Sequence, residues 1–264
     1  VRLATFNVMG GRGLADGRVD PARLAGAVGS LDADLLGLQE VDRDQPRSGG
    51  VDLAGVAATA MGAAAYRFAP ALVGTPGAAW QAATAGTDGA GAPCYGVALL
   101  SRYPVRWWRV LRLPAAPVRA PVYVPGPGGG LLLLADEPRV VLAARVAAPG
   151  GELTVACTHL SFVPGWNGYH LGLTLRALRR LPGPRVLLGD LNLPGALVRL
   201  VPGWRALAHR ATYPAPAPRV QFDHVLADRV PAAPVRVWCP RLPVSDHRPL
   251  VVRLDPAAGT GGWR

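Results

Sequence analysis

Apolar residues in this chain are parcelled into short runs, each about the length of one β-strand, and this limits the possible folds more than any other feature. The runs lie near 2–7, 34–39, 95–100, 105–113, 138–147, 152–158, 185–189, 223–227, 235–239 and 249–254, with helical spacing between them near 21–29, 51–61 and 168–181. The alternation predicts a mixed α/β fold rich in strands. No run nears the ~18 residues an apolar helix needs to cross a bilayer. Hydrophobic residues make up 50% of 264 positions and occur throughout, which predicts one domain over 1–254, followed by a loose tail over 255–264. No repeat of fixed period points to a solenoid or propeller.

The first helix has a clear start: Asp20 can cap free amide groups, and Pro21 suits the first helical position. The second follows Gly49 and Gly50. The third, from Asn167 or Gly168 to Leu181, places Leu171, Leu175, Leu178 and Leu181 on one face and Arg176, Arg179 and Arg180 largely away from it. Two stretches without periodicity, Pro70 to Pro93 and Pro114 to Glu137, read as long surface loops; the second includes Pro125-Gly-Pro-Gly-Gly-Gly130. Substrate selection is expected there.

All 28 basic residues are arginine, and the formal charge is +11. A field of that sign attracts phosphate-bearing partners. The arginines are dispersed, however, and their use in place of lysine, with abundant Ala, Gly and Pro, also matches GC-rich coding. Cys94, Cys157 and Cys239 are far apart, odd in number and without metal-ligand spacing, so they are expected to be small core residues in a reduced setting. The amino terminus enters a strand-like segment instead of a leader pattern. A cytoplasmic monomer is the expectation.

Polar residues sit where strands run out. Thr5-Phe-Asn7 ends the first strand and Leu38-Gln-Glu40-Val41 the second, offering oxygen ligands to a hard cation such as Mg²⁺. Val155-Ala-Cys-Thr-His159-Leu160 puts a histidine at a strand end. In Val186-Leu-Leu-Gly-Asp190-Leu-Asn192 an apolar strand stops at glycine and then presents a carboxylate and a carboxamide two residues apart. Asp190 could align or deprotonate a water, and Asn192 could donate to a phosphoryl oxygen. Phe222-Asp223-His224 and Val244-Ser-Asp246-His247-Arg-Pro249 follow, with Asp223 and His247 on separate segments. Each group alone has an ordinary reading as a turn or a solvated residue. Their order along one chain is what carries weight.

In that order the residues resemble the endonuclease/exonuclease/phosphatase superfamily, from Leu3 to about Arg253. The Gly-Asp190-Leu-Asn192 and Ser-Asp246-His247 elements are the most specific, and Gln-Glu40-Val and Thr-His159-Leu support them. The resemblance implies a four-layered αββα sandwich of the deoxyribonuclease I-like type, in which two packed mixed β-sheets are flanked by helices and the site lies at one end of the sheets. It also implies a hydrolase acting on ester bonds of phosphate, with Mg²⁺ as cofactor and Mn²⁺ as the alternative. Asn7 and Glu40 would hold the metal, with Asp246 close enough to help. Asp190 would align or activate water, and Asn192 would steady Asp190 or the phosphate. His159 and His247 would flank the scissile phosphate, with Asp223 orienting and charging His247. Nucleic acid, a nucleotide, a phospholipid head group or an inositol phosphate would each present the same phosphoryl group.

Some elements depart from the family pattern. Met9 replaces the aspartate usual in abasic-site enzymes, and Val220 stands where some of these carry a tryptophan, which disfavours a repair nuclease. Tyr95-Gly-Val97-Ala98 replaces Gly-Asn-Ala. In Asp136-Glu137-Pro138-Arg139 an acid occupies the place of the arginine in the deoxyribonuclease's Arg-Glu-Pro element, and Arg43 is a candidate substitute for the phosphate contact. Two further readings compete. A catalytically inactive nucleic-acid-binding or scaffolding protein on the same fold would account for the charge. A serine hydrolase using Ser161 or Ser245 lacks a Gly-x-Ser-x-Gly elbow.

Overall fold

In chain order the strands are β1 (Arg2–Asn7), β2 (Leu35–Arg43), β3 (Ala65–Gly74), β4 (Trp80–Ala82), β5 (Cys94–Ser101), β6 (Val105–Leu113), β7 (Arg119–Val124), β8 (Gly130–Ala135), β9 (Arg139–Ala148), β10 (Gly151–His159), β11 (Arg185–Asp190), β12 (Arg205–Ala206), β13 (Asp223–Asp228), β14 (Pro234–Trp238) and β15 (Leu250–Leu254). The helices are α1 (Pro21–Leu31), α2 (Leu53–Met61), α3 (Trp166–Arg179) and the short α4 (Gly195–Val198). The structure is a computed structural model and describes residues 1–87, 91–124 and 130–255. The expected tail beyond Asp255 and most of the Pro125–Gly130 run lie outside the described residues. No helix is long and apolar enough to cross a membrane among the described residues.

One sheet has the order β14-β15-β1-β2-β5-β3-β4 and the other β12-β13-β11-β10-β9-β6, with β7 and β8 forming a separate ribbon. Each large sheet contains one parallel pair, β1 with β2 and β10 with β11, joined through α1 and α3 respectively. The neighbouring strands run antiparallel.

Period-two alternation sorts the apolar side chains into layers. Leu3, Leu35, Leu99, Val155, Cys157, Val186, Leu188 and Val225 meet between the sheets. Their alternates Ala4, Phe6, Leu36 and Leu38 turn outward to Leu24, Val28, Leu53 and Met61 of α1 and α2. On the other side Ala156, Leu187 and Leu226 meet Leu171, Leu175 and Leu178 of α3. These three apolar layers make the αββα sandwich that the resemblance implied, at about 1.5–3 kcal/mol for each large side chain withdrawn from water. Gly37 lets the sheets approach, since a Cβ there would lie 2.9 Å from Cys157 Sγ. Cys94 and Cys157 are buried, in keeping with the reading of them as core residues, whereas Cys239 is half-buried.

The Asp20 carboxylate accepts from the amides of Ala22 and Arg23 at 2.9 and 3.2 Å, capping α1 as expected. On α2 the Asp52 carboxylate is the cap, accepting from the amides of Ala54 and Gly55. The two expected long loops need correction. Pro70 to Pro93 contains the second half of β3 and all of β4, and Pro114 to Glu137 contains β7 and β8. Pro70 reads as a strand breaker, yet it sits at a register shift between Pro70 and Leu72, the kind of bulge where a missing N–H is tolerated. Leu131–Leu134 of β8 show no alternation because their ribbon belongs to neither large sheet; all four are exposed.

Candidate active site

Strand direction gathers the polar residues at one edge. The parallel pairs end there, delivering Asn7, His159 and Asp190 from carboxyl ends, while antiparallel β13, β5 and β9 begin there with Asp223, Cys94-Tyr95 and Arg139. His159, Asp190 and Asp223 stand in one row across β10, β11 and β13. Each lies two residues from a side chain of the inter-sheet core, namely Cys157, Leu188 and Val225. The site is therefore the mouth of the space between the sheets, where the inward-facing row turns from apolar to polar.

Glu40 reaches the same place by a different route. Its predecessor Gln39 already faces inward and donates to Cys157 Sγ at 3.2 Å, so simple alternation would turn Glu40 away. A register shift between Leu38 and Val41, with Glu40 at φ 54°, re-aims it. Met9 (48°), Asn192 (49°) and Ser245 (72°) are also left-handed, so strained non-glycine backbone clusters around these motifs.

Asn7 ties the two halves together: its Nδ2 donates to Glu40 Oε1 at 2.9 Å and to Asp190 Oδ2 at 3.0 Å. The Asn192 amide donates to Asp190 Oδ1 at 3.0 Å. His247 Nδ1 lies 2.9 Å from Asp223 Oδ2, and its Nε2 lies 3.7 Å from Asp190 Oδ2. His159 Nε2 stands 3.7 Å from that same oxygen and 3.2 Å from Asn192 Nδ2. Asp190 is thus the hub of the cluster, and both imidazoles face it. Ligand atoms of Asp190, Asp223 and His247 lie within 4.8 Å of one another.

Burial raises Asp190 to about 7, with the His247 charge pulling against it. Burial works against the charge of His247 as well, but Asp223 and Asp190 outweigh it and hold His247 at about 10. His159 goes the other way: burial, Arg139 and His247 push it well below the usual histidine range. One imidazole is cationic at neutral pH and the other is not. Burial also raises Glu40, against the Asn7 hydrogen bond and with added repulsion from Asp246.

A cavity of about 520 Å³ opens over these groups, lined by Glu40, His159, Asp190, Asn192 and His247 together with Trp80, Tyr95, Arg119, Leu133, Leu134, Arg139 and Phe162. Asp246 does not line it, and acts on Glu40 and His247 through its charge. The candidate Arg43 is not part of the site. Its guanidinium lies 4.7 Å from the Phe68 ring centroid, and Phe68 belongs to the layer between the first sheet and α1 and α2, so Arg43 faces away from the mouth. The arginines that do line the cavity are Arg119 and Arg139, the latter in the run Asp136-Glu137-Pro138-Arg139, where an acid holds the place of the deoxyribonuclease's arginine. The position of Arg139 next to Glu137-Pro138, at the start of an apolar strand, was the available signal. Tyr213, whose ring stacks 4.9 Å from that of His247, carried none. Ser161 and Ser245 are buried, and their hydroxyls accept from the amides of Val163 and His247, which leaves no serine nucleophile assembled.

The sequence model of the Endonuclease/Exonuclease/phosphatase family matches residues 4–247. No curated protein matches by sequence. Among solved structures the chain is similar to an endonuclease/exonuclease/phosphatase from Beutenbergia cavernae, with 24% identity over 97% of this chain and 72% of that one, at a TM-score of 0.64. It is also similar to one from Bacteroides vulgatus (18%, covering 97% and 98%, TM-score 0.65) and to TDP2 from C. elegans (17%, covering 97% and 75%, TM-score 0.60). These likenesses show the shared fold; the family match over nearly the whole length shows that the chain belongs to the endonuclease/exonuclease/phosphatase family.

Proposed function

We propose that the protein is a divalent-metal-dependent phosphoester hydrolase whose proton-accepting group is Asp190. The observation that carries this reading is the position of Asp190: one carboxylate between a charged imidazole, an uncharged imidazole and the Asn7–Glu40 pair, on the wall of a cavity. A carboxylate with its pKa near neutrality is suited to take a proton from water. His247, kept protonated by Asp223, places positive charge where a phosphoryl group gains negative charge, and can hand a proton to the departing oxygen. Asn192 and His159 border the same space from the other side.

The donor set fits a hard cation. Glu40 is a carboxylate paired with no cationic side chain among the described residues, and Asp246 adds a second negative charge nearby. Glu40 would hold the metal, with Asp246 in support. Asn7, whose Oδ1 accepts from the Met9 amide at 3.1 Å and whose Nδ2 serves both carboxylates, would keep those carboxylates in place. When bound, the ion supplies Lewis-acid polarisation of a phosphoryl oxygen.

The cavity walls support a phosphoester with a compact apolar or aromatic organic part. Trp80, Phe162, Leu133 and Leu134 line them, and Arg119 and Arg139 are the arginines present among the described residues. A volume of about 520 Å³ suits a small-molecule group, whereas a polynucleotide is better served by a longer basic groove. The test is hydrolysis of bis(p-nitrophenyl) phosphate and p-nitrophenyl phosphate, alongside nucleic acids, with Mg²⁺ or Mn²⁺. Activity is expected to vanish with chelator and to fall by about a thousandfold in Asp190→Asn and His247→Gln. Turnover indifferent to chelator and to both substitutions would sink the assignment. Salt-dependent nucleic-acid binding without turnover would favour the scaffold reading.

A further inference from the structure

Arg139 is 4% exposed at the start of β9, with Nη1 3.3 Å from His159 Nδ1, Nη2 3.4 Å from Asp136 Oδ1, and Nε buried without a partner. A guanidinium offers N–H donors only and does not give up its charge inside proteins. His159 Nδ1 can therefore meet it favourably only as a bare acceptor. On the other side of the ring, Nε2 faces Asn192 Nδ2 at 3.2 Å, which is also a donor group. A neutral imidazole has one proton, so it cannot accept at both nitrogens. Charge decides between them. A hydrogen bond from an ionised donor is roughly twice as strong as a neutral one, and a proton on Nδ1 would point at a cation. The Asn192 amide has another use, since its Nδ2 also donates to the Leu160 carbonyl at 3.0 Å.

We propose that Arg139 is a positioning residue that keeps His159 Nδ1 bare, so that the ring's proton sits on Nε2 and is presented to the phosphoryl oxygen of a substrate in the cavity. This rests on the phosphoesterase reading for its use, though not for the tautomer itself. It separates the two histidines by the atoms that hold them. His247 has a carboxylate at Nδ1 and directs a cationic Nε2–H at the site, whereas His159 has a cation at Nδ1 and directs a neutral one. Asp136 completes the arrangement. One of its oxygens meets Arg139 Nη2 and the other accepts from the Ala116 amide at 2.8 Å, which anchors the guanidinium against the histidine ring.

The experiment is a long-range ¹H–¹⁵N correlation spectrum of histidine-labelled, chelator-treated protein at pH 7.5, with His159 assigned by its loss in His159→Gln. The wild type is expected to show a neutral ring protonated at Nε2. Arg139→Met should shift His159 towards the Nδ1–H form or a mixture, and Arg139→Lys, which restores a charged donor, should restore the original pattern. In metal-loaded protein Arg139→Met should lower kcat about a hundredfold with KM within about threefold, the range seen on losing one preorganised donor. A wild-type His159 carrying its proton on Nδ1, or on both nitrogens, would overturn the proposal, as would an unchanged pattern in Arg139→Met. If Arg139→Met does not fold, the wild-type and Arg139→Lys spectra decide. An inactive wild type with the expected tautomer would count against the phosphoesterase reading and leave the arginine's role standing.

Discussion

Replacing Asp223 by asparagine keeps the shape of the His247 partner and removes its charge, so it isolates what that carboxylate does. His247 is held at about 10 against an ordinary 6.5. The gap of 3.5 units (10 − 6.5) corresponds to ~5 kcal/mol favouring the charged ring. Because the folded pKa is raised, the stabilisation is fully present below pH 6.5 and is lost as pH rises through about 10. Within that window the folded wild type binds one more proton than the unfolded chain, and its stability should fall by ~1.4 kcal/mol per pH unit from this group alone. Between pH 7.5 and 9.5 the loss is ~2.7 kcal/mol. In Asp223→Asn the strongest attraction is gone, only Asp190 and, more weakly, Asp246 are left to oppose burial, and most of that slope should disappear. Urea unfolding of both chelator-treated proteins at the two pH values measures it, and comparing them cancels groups common to both. Slopes equal to within about 0.5 kcal/mol would refute the argument that Asp223 holds the proton on His247.

Asp190→Asn should cut hydrolysis by about a thousandfold without weakening the fold at pH 8.5. Burial raises this carboxylate to about 7, so its ionisation costs stability as pH rises from 3.8 through about 7. A neutral amide avoids that cost, and after discounting one hydrogen bond lost where its NH₂ meets a donor, Asn7 Nδ2 or the Asn192 backbone amide, a gain of about 1–2 kcal/mol is expected; a loss above about 1 kcal/mol in urea unfolding would contradict it. Gly96→Ala should destabilise by about 3 kcal/mol or more, because its Cβ would lie 2.1 Å from the Ala69 carbonyl oxygen and 2.9 Å from Pro70 Cα, both backbone atoms that cannot swing aside. An unchanged urea midpoint would show that β3 and β5 are not packed as described.

Local chemistry was enough to read most of the architecture. The run near 105–113 became β6 (Val105–Leu113), the run near 185–189 became β11 (Arg185–Asp190), and Asp20 with Pro21 marked the start of α1. Strand and helix periodicities and end caps are properties of a few neighbouring residues, so one chain displays them without its fold. The Gly-Asp190-Leu-Asn192 and Ser-Asp246-His247 elements were legible for the same reason, because their polar residues stand directly against apolar strands. The ribbon of β7 and β8 was not, since four consecutive leucines alternate with nothing when neither face packs on a sheet.

Which polar residues share a site was settled only by register. Glu40 enters because a bulge and a left-handed backbone turn it inward, while Arg43, three residues on in the same strand, lies on the outer face against Phe68. Arg139 enters because β9 runs antiparallel to β10 and begins at the edge where His159 ends. The order of residues along the chain thus determined the strands, the helices and the kind of chemistry. The pairing of strands decided which charges face one another, because a side chain's direction across a sheet depends on neighbours far away in sequence.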